Sequence, residues 1–276
     1  MYKILVKEEL APTIKLFKVE ARMVAKKARP GQFVILRIDE KGERIPLTIY
    51  DYDKDRGTIS IIFQEVGKTT VQLGGLEQGD CLLDVVGPLG NPFDIGKVGK
   101  VVCVGGGIGV APIFPKALAL KDEGNEVTSI IGARTKELLI LEEEMKKVSQ
   151  RVYITTDDGS YGEAGFVTAP LKRLLNENPP DLVVAIGPLV MMKNVVSVTK
   201  PYGVNTLVSL NPIMVDGTGM CGCCRVRVAG VTKFSCVDGP TFDGAEVDWN
   251  ELISRNNRFL EEERRALERY RVLIEG

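Results

Sequence analysis

The stretch KVVCVGGGIGVAPIFPKALALKDEG, residues 100–124, decides the fold. Its first part is an apolar run that ends in glycines, and its second part has the spacing of a helix. A glycine turn between strand and helix exposes backbone N–H groups to a phosphate and permits its close approach. The turn departs from the G-x-G-x-x-G fingerprint, because Val110 or Pro112 takes the third glycine position. Taken alone, it fits either a tight strand–helix turn or a nucleotide site.

Strand and helix patterns alternate from this stretch to residue 209, which predicts an open parallel sheet with helices on both faces. Two more glycine-rich segments follow predicted strands, TDDGSYGEAG (156–165) and AIGP (185–188). The carboxyl ends of parallel strands line one crevice, where open α/β sheets bind their ligands. The three segments together favour a nucleotide over a purely structural turn.

The residues before 100 alternate apolar and polar side chains with period two, which predicts a small antiparallel β-barrel. One strand, RIPLTIYD (44–51), carries Arg44, which could pair with a phosphate, and Thr48, which offers a hydroxyl to a ring nitrogen. By itself the segment is better explained as an ordinary strand with a surface arginine. The segment EVGKTTVQL (65–73) resembles a phosphate-binding turn but not a Walker A loop, and its candidate residues are Gly67, Thr69 and Thr70.

Four of the six cysteines lie between residues 221 and 236, beginning in the loop DGTGMCGCCRVRV (216–228). The plant-type [2Fe–2S] ligand spacing, with a carboxylate in first place, is reproduced by Asp216-x4-Cys221-x2-Cys224…Cys236. Structural zinc and buried free thiols are the competing interpretations. The loop lacks a second C-x-x-C pair and adjacent cysteines rarely serve one zinc, so the spacing favours the cluster, with Cys223 outside it. Cys81 and Cys103 stand in apolar strands and are expected to be core thiols.

Composition excludes several classes of function. The chain has no histidine, which removes histidine-dependent triads and the usual nitrogen ligands of zinc. Its formal net charge of -1 argues against a nucleic-acid partner. No apolar run approaches the ~20 residues of a membrane span, and no secretory signal is recognisable, so we expect a cytoplasmic protein without a membrane partner.

A barrel, a nucleotide sheet and a cysteine loop in this order resemble the ferredoxin–NADP reductase superfamily, and within it the dihydroorotate dehydrogenase electron-transfer subunit family. RIPLTI resembles the flavin motif, GGGIGVAPI the nicotinamide-nucleotide motif and MVDGTGMCGCCRV the cluster loop. Dihydroorotate-type subunits carry cysteine at the position of Asp216. The aspartate resembles instead the branch of small subunits of NADH-dependent ferredoxin:NADP oxidoreductases, and the alternative is the dihydroorotate dehydrogenase branch itself.

The resemblance implies three cofactors: FAD, NAD(H) and a [2Fe–2S] cluster. Its flavin residues are Arg44, Pro46, Leu47, Thr48 and Ile49, with Thr48 at flavin N5 as the catalytic residue and Gly67, Thr69 and Thr70 at the diphosphate. Its nucleotide residues are Gly105, Gly106, Gly107, Ile108, Gly109, Asp157, Asp158, Gly187 and Pro188. The implied cluster ligands are Asp216, Cys221, Cys224 and Cys236. The implied partner is a larger flavoprotein and iron–sulfur subunit that binds NADP(H) and ferredoxin in a heterodimer.

The predicted organisation has four parts. An FAD-binding β-barrel covers residues 1–98, an NAD-binding α/β domain 99–209, the cluster loop 210–245 and a C-terminal helix 246–276. The last segment repeats an apolar pair every seven residues, from Leu252–Ile253 to Leu273–Ile274. This stripe fits packing on the chain's own body or docking against another subunit. A non-enzymatic module stabilised by zinc remains the third functional alternative.

Overall fold

The computed structural model describes the backbone of residues 1–275 and the side chains of residues 1–273. Gly276 and the side chain of Ile274, on which two of the predictions above fall, lie outside the described residues. The first part of the chain forms β1 (Tyr2–Ala11), β2 (Ile14–Glu20), α1 (Arg22–Lys27), β3 (Phe33–Arg37), β4 (Ile45–Asp53), β5 (Thr58–Gln64), α2 (Lys68–Gly74), β6 (Cys81–Leu82) and β7 (Asp84–Leu89).

These strands build an antiparallel sheet in the order β6-β1-β2-β5-β4-β3-β7. The two ends of this order, β6 and β7, are neighbours in the chain, so the sheet curls into a nearly closed barrel. Alternating side chains fill its interior, where the Phe17 and Phe63 rings meet edge to face with centroids 5.1 Å apart. The predicted barrel is confirmed, whereas helix α1 was not foreseen.

The second sheet is formed by β8 (Lys100–Gly106), β9 (Glu126–Ala133), β10 (Arg151–Thr156), β11 (Glu163–Ala164), β12 (Leu182–Ile186) and β13 (Asn205–Ser209). Their order is β11-β10-β9-β8-β12-β13, and every pair is parallel. The connecting helices are α3 (Val110–Asp122), α4 (Glu142–Val148), α5 (Thr168–Glu177) and α6 (Leu189–Thr199).

The helices cover both faces of this sheet, as the sequence predicts. Helices α3 and α4 share one apolar cluster with the sheet, and α5 and α6 share another. The α3 cluster also contains Ile14, Ile62 and Phe93 of the barrel part. Barrel and sheet therefore have a common core, and the carboxyl ends of the central strands face the barrel.

The cysteine loop follows β13 and leads into β14 (Arg225–Val228), β15 (Val231–Phe234) and β16 (Thr241–Asp243). Strand β16 pairs antiparallel with β13, so part of the predicted loop unit completes the second sheet. The four-part division of the chain stays a prediction. None of the helices in the described residues is long and apolar enough to cross a membrane.

The C-terminal segment forms two helices where one was expected, α7 (Trp249–Asn256) and α8 (Leu260–Glu275). Asp248 caps α7 by accepting a 3.0 Å hydrogen bond from the Glu251 N–H. The first helix ends at consecutive asparagines, residues of low helix propensity. Helix α7 buries Trp249 and Leu252 against the second sheet, while α8 contacts α2 of the barrel.

Candidate functional site

A cavity of 840 Å³ opens between the barrel and the carboxyl ends of the second sheet; we call it the interdomain cavity. Its volume lies near the upper end of the range of small-molecule sites. Elements from both halves of the chain line it, because β4 and β5 face the turn after β8 across the gap. The predicted residues that line it are Pro46, Leu47, Thr48, Thr70, Gly106, Gly107, Ile108, Gly109, Asp157, Gly187 and Pro188.

The glycines of the turn after β8 serve different purposes. A Cβ on Gly109 would lie 2.3 Å from the Ile186 carbonyl oxygen, and one on Gly106 would lie 2.2 Å from the Met191 sulfur. Position 109 therefore needs glycine for close packing of the β8 and β12 turns, since the clash is with backbone, whereas at Gly106 the flexible Met191 side chain would have to move. Gly107 has φ +55° and no atom within 4 Å of a Cβ built on it, so its outer side is open space.

The turn presents backbone donors to the cavity. Neither the Gly107–Gly109 turn nor helix α3 has a side-chain cap. The Val110 N–H donates to the Gly107 carbonyl within the turn, so the N–H groups left for an anion are the others at this helix start. Gly105 lies beneath, packed against Ile113 and Val110, and is not a lining residue. Asp157 lines the cavity, whereas Asp158 accepts hydrogen bonds from the Ser160 hydroxyl at 2.7 Å and the Ser160 N–H at 3.0 Å. These bonds hold the pKa of Asp158 below its ordinary value.

The opposite wall is strand β4. Thr48 pairs with Phe33 of β3, and Pro46, Leu47 and Thr48 line the cavity. Ile49 points into the barrel core and is fully buried. Arg44 lies at the start of the strand, where its Nε donates a 3.0 Å hydrogen bond to the Val215 carbonyl of the cysteine loop. The predicted flavin residues thus comprise three wall residues, one core residue and one link to the cluster loop.

The predicted diphosphate turn precedes α2. The Thr70 hydroxyl accepts hydrogen bonds from the Val66 and Gly67 N–H groups, both at 3.0 Å, and it reaches the cavity wall. Thr69 is buried, and its hydroxyl donates to the Glu43 carboxylate. Gly67 has no neighbouring atom within 4 Å of a built Cβ, so the space beside it is open.

The cysteine loop holds its predicted ligands in two groups. Cys224 and Cys236 are buried with their sulfurs 3.2 Å apart, and Asp216 and Cys221 lie together at the exposed side. The Thr218 and Cys221 N–H groups each donate a 2.8 Å hydrogen bond to the Asp216 carboxylate. These bonds hold the pKa of Asp216 below its ordinary range, so that the carboxylate is ionised.

This arrangement suits a two-metal cluster better than a single ion. Within the described residues no three Cys, Asp or Glu side chains converge to hold one metal ion. A [2Fe–2S] cluster instead takes two protein ligands at each iron, and the loop supplies two groups. Burial, and then the Cys224 sulfur, raises the pKa of Cys236 to about 12, so the free Cys236 thiol is protonated and a metal must displace its proton.

Phe33 joins the two sites. Its backbone pairs with Thr48, its side chain lines the interdomain cavity, and it packs in one apolar cluster with Cys224 and Cys236. The loop approaches the barrel so closely at Gly217 that a Cβ there would lie 2.6 Å from Leu89. Phe33 therefore contacts both strand β4 and the apolar cluster that holds the buried sulfurs.

The structure also places two thiols and one lysine whose positions can be compared with the sequence predictions. Cys103 is buried, as predicted, but Cys81 is exposed on the two-residue edge strand β6, so its assignment to the core was wrong. Sequence reasoning missed Lys116, which is buried and lines the interdomain cavity. The signal was available, because Lys116 interrupts the buried helical face of Ile113, Ala117 and Leu120.

Two family models match segments of the chain. Residues 103–197 match an oxidoreductase NAD-binding domain, and residues 211–248 match the iron–sulfur cluster binding domain of dihydroorotate dehydrogenase B. Phthalate dioxygenase reductase shares the fold, with a TM-score of 0.61 at 18% identity over 82% of this chain and 85% of that chain. Fold and family models therefore define an oxidoreductase of the ferredoxin-reductase type with an NAD-binding domain and an iron–sulfur domain.

Full-length relatives identify the family. The electron transfer subunit homolog of dihydroorotate dehydrogenase B (NAD(+)) from Thermotoga maritima is 49% identical over 97% of this chain and 95% of its own. The electron transfer subunit of this enzyme from Streptococcus pneumoniae R6 is 36% identical over 87% of this chain and 94% of its own. The chain belongs to the family of dihydroorotate dehydrogenase B electron transfer subunits.

A solved structure gives a further likeness. One chain in the structure of an NADH-dependent reduced ferredoxin-NADP oxidoreductase, described for its insight into flavin-based electron bifurcation, has a TM-score of 0.93 and 48% identity, with 98% of both chains covered. The predicted resemblance and the predicted cofactors, FAD, NAD(H) and a [2Fe–2S] cluster, are confirmed at the level of the family. The predicted association with a larger subunit is supported, since the relatives are subunits of heteromeric enzymes.

Proposed function

We propose that the chain is the NAD(H)-facing small subunit of a bifurcating NADH-dependent ferredoxin:NADP oxidoreductase. The observation that carries the proposal is the continuity of the site. The glycine turn after β8 and strand β4 face one cavity, and Phe33 lies between that cavity and the paired sulfurs of Cys224 and Cys236. The likeness to a chain of such an enzyme over 98% of both lengths supports it.

The β4 wall is the proposed flavin site. FAD, when bound, would connect two-electron exchange with nicotinamide to one-electron exchange with a cluster. Pro46, Leu47 and Thr48 would hold the ring, with the Thr48 hydroxyl as the group beside N5. Ile49 supports the strand from the core, and Arg44 keeps further guanidinium donors besides the Nε that bonds to Val215. The diphosphate residues are proposed to be Gly67, Thr69 and Thr70.

The opposite wall is the proposed nicotinamide-nucleotide site. The backbone of Gly106, Gly107, Ile108 and Gly109 and the first turn of α3 provide N–H donors, and Gly105 lets that turn pack closely. Exposed apolar side chains at the cavity wall, Phe166 and Val190, offer a surface that would exclude water from a bound ring. The remaining residues of the proposed site are Asp157, Asp158, Gly187 and Pro188.

The proposed cluster ligands are Asp216, Cys221, Cys224 and Cys236. A carboxylate is a harder ligand than a thiolate, so a cluster bound through Asp216 should differ in potential from one held by four cysteines. Burial and the Cys224 sulfur raise the pKa of Cys236, and a hydrogen bond from the Gly219 N–H offsets part of that rise. An N–H contact of this type to a ligand sulfur tunes a cluster. None of the six cysteines forms a disulfide, which agrees with the cytoplasmic location that we propose.

The proposed partner is a larger flavoprotein and iron–sulfur subunit that binds NADP(H) and ferredoxin. A second candidate function is electron transfer to a dihydroorotate dehydrogenase, because several relatives carry that name. The carboxylate at position 216 argues for the first candidate, since the dihydroorotate-type loop has cysteine there.

Anaerobic co-expression with each candidate partner tests the proposal. We expect two irons and one FAD per chain, together with absorption bands that dithionite bleaches. A larger subunit with two dinucleotide-binding domains should co-purify. Co-purification with an FMN-containing barrel subunit would support the second candidate, and zinc without flavin would refute both.

Single-cysteine variants test the ligand assignment. Cys224→Ser should abolish the visible cluster bands, because it removes one of the two buried sulfurs. Cys223→Ser is the matched control in the adjacent position and should retain two irons per chain. Loss of iron from Cys223→Ser, with Cys224→Ser unaffected, would show that the spacing assigns the wrong thiol.

A further inference from the structure

Lys116 occupies an unusual position for a charged residue. It lies in the second turn of α3, is 1% exposed, and lines the interdomain cavity. Its ammonium donates hydrogen bonds to the Ser209 hydroxyl and, at 2.7 Å, to the Thr241 hydroxyl. Among the described residues no carboxylate forms an ion pair with it. Lys116 is thus a buried cation without a counterion.

The side chain reaches the barrel. Its ammonium stands 4.7 Å from the centroid of the Phe93 ring. A Cβ on Gly31 would lie 2.8 Å from the Phe93 Cβ and 3.3 Å from the Lys116 Cε, so the backbone at Gly31 packs against both residues. Gly31 lies two residues before Phe33, which pairs with Thr48 on the proposed flavin strand. The cation therefore borders the same part of the cavity as the β3–β4 pair.

Local structure alone does not require a lysine here. The Ser209 and Thr241 hydroxyls are 3.1 Å apart and form a hydrogen bond with each other. An apolar side chain of similar length would leave both hydroxyls paired and would remove the desolvation cost of an ammonium. The two hydroxyls alone therefore do not account for a lysine in the cavity wall.

We infer that Lys116 stabilises the negative charge that the flavin gains on two-electron reduction, and so raises the flavin's reduction potential. This inference rests on the proposed function. Hydride transfer from a reduced nicotinamide adds two electrons and one proton to the oxidised ring, which leaves the oxidised nicotinamide and a reduced flavin anion. A cation within a low-dielectric wall lowers the free energy of that anion.

The protonation of Lys116 should depend on pH and on the charge of a bound flavin. Burial lowers its pKa to about 7, and the ionisable group on a neighbouring element that acts on it is the Cys103 thiol of β8. Burial in turn raises the pKa of Cys103 to about 12, so this thiol is neutral. The other contacts, Phe93, Ser209 and Thr241, do not titrate near pH 7. Above pH 7 reduction of the flavin should therefore draw a proton onto Lys116.

Redox titration of the bound flavin tests this inference, with the FAD- and cluster-loaded chain in its complex. Lys116→Met should lower the ratio of reduced to oxidised flavin at a given electrode potential at least tenfold, which is about 30 mV for a two-electron couple. Lys116→Arg should stay near wild type. Lys121→Met is the matched control, since Lys121 lies on the same helix but is exposed and bonds to the Lys147 carbonyl.

The pH dependence separates an electrostatic role from a structural one. Above pH 7 the wild-type potential should fall more steeply with pH than that of Lys116→Met: it should approach about 59 mV per pH unit, for two protons with two electrons, against about 30 mV for the variant. A wild-type slope of 30 mV throughout would overturn the inference even if the variant does not fold. So would a Lys116→Met potential equal to wild type. A wild-type protein that lacks FAD would instead refute the proposed function.

Discussion

The burial of Lys116 predicts a pH-dependent stability that one substitution should abolish. Its folded pKa of about 7 lies below its usual value of 10.5 because burial disfavours the ammonium. Between these two values the unfolded chain binds more protons than the folded chain, so stability rises with pH in this window. Below pH 7 both states are protonated, and the full cost of the buried charge is present.

The magnitude follows from the two pKa values. A difference of 3.5 pKa units at about 1.36 kcal/mol each gives a cost of about 5 kcal/mol at low pH. Integration of the proton-binding difference from pH 7 to pH 9 raises the free energy of unfolding by about 2 kcal/mol, because the folded group is already half deprotonated at pH 7. At about 2–4 °C per kcal/mol, the wild-type melting midpoint should gain about 4–8 °C relative to Lys116→Met over this range.

Thermal unfolding of oxidised, FAD-loaded protein at pH 6, 7, 8 and 9 provides the assay. Lys116→Met should melt above wild type at pH 6, and its advantage should shrink steadily toward pH 9. Groups that titrate elsewhere affect both proteins equally, so the difference between midpoints isolates Lys116. A difference that is constant with pH would refute the reasoning, because it would mean that Lys116 is protonated to the same extent in both states.

Two further predictions concern close packing and the cluster loop. Gly109→Ala should destabilise the chain by about 1–3 kcal/mol, because its Cβ would lie 2.3 Å from the Ile186 carbonyl oxygen. The control is Gly96→Ala, which has no atom within 4 Å of its Cβ and should leave the melting midpoint unchanged. Equal midpoints for the two variants would contradict the packing argument. Asp238→Ala should speed cluster loss severalfold in air, because the Asp238 carboxylate accepts a 2.6 Å hydrogen bond from the Phe234 N–H beside Cys236. The control is Asp243→Ala, which removes a comparable hydrogen bond to the Ala245 N–H outside the loop. Equal rates of bleaching for the two variants would show that Asp238 does not hold the loop.

Much of the fold could be predicted because its signals are local. Period-two alternation predicted the barrel strands, and glycine turns after apolar runs predicted the parallel sheet. Helix α1 was missed, since six residues carry too little periodicity to be recognised. The break between α7 and α8 was missed because the heptad stripe continues through it, whereas backbone hydrogen bonding does not.

The candidate site likewise combines features that local sequence predicts with features that depend on long-range contacts. Motif residues such as Gly107 and Thr48 were predictable, since their chemistry depends on neighbours in the chain. The role of Phe33 depends on contacts between β3, β4 and a loop some 190 residues later, which no local pattern encodes. The environment of Lys116 could be predicted only in part, because a cation on a buried helical face indicates polar neighbours but does not identify them. Within the described residues those groups are two hydroxyls, the Phe93 ring and a cavity, and no carboxylate there pairs with the charge. A bound anion would supply the counterion that this position lacks.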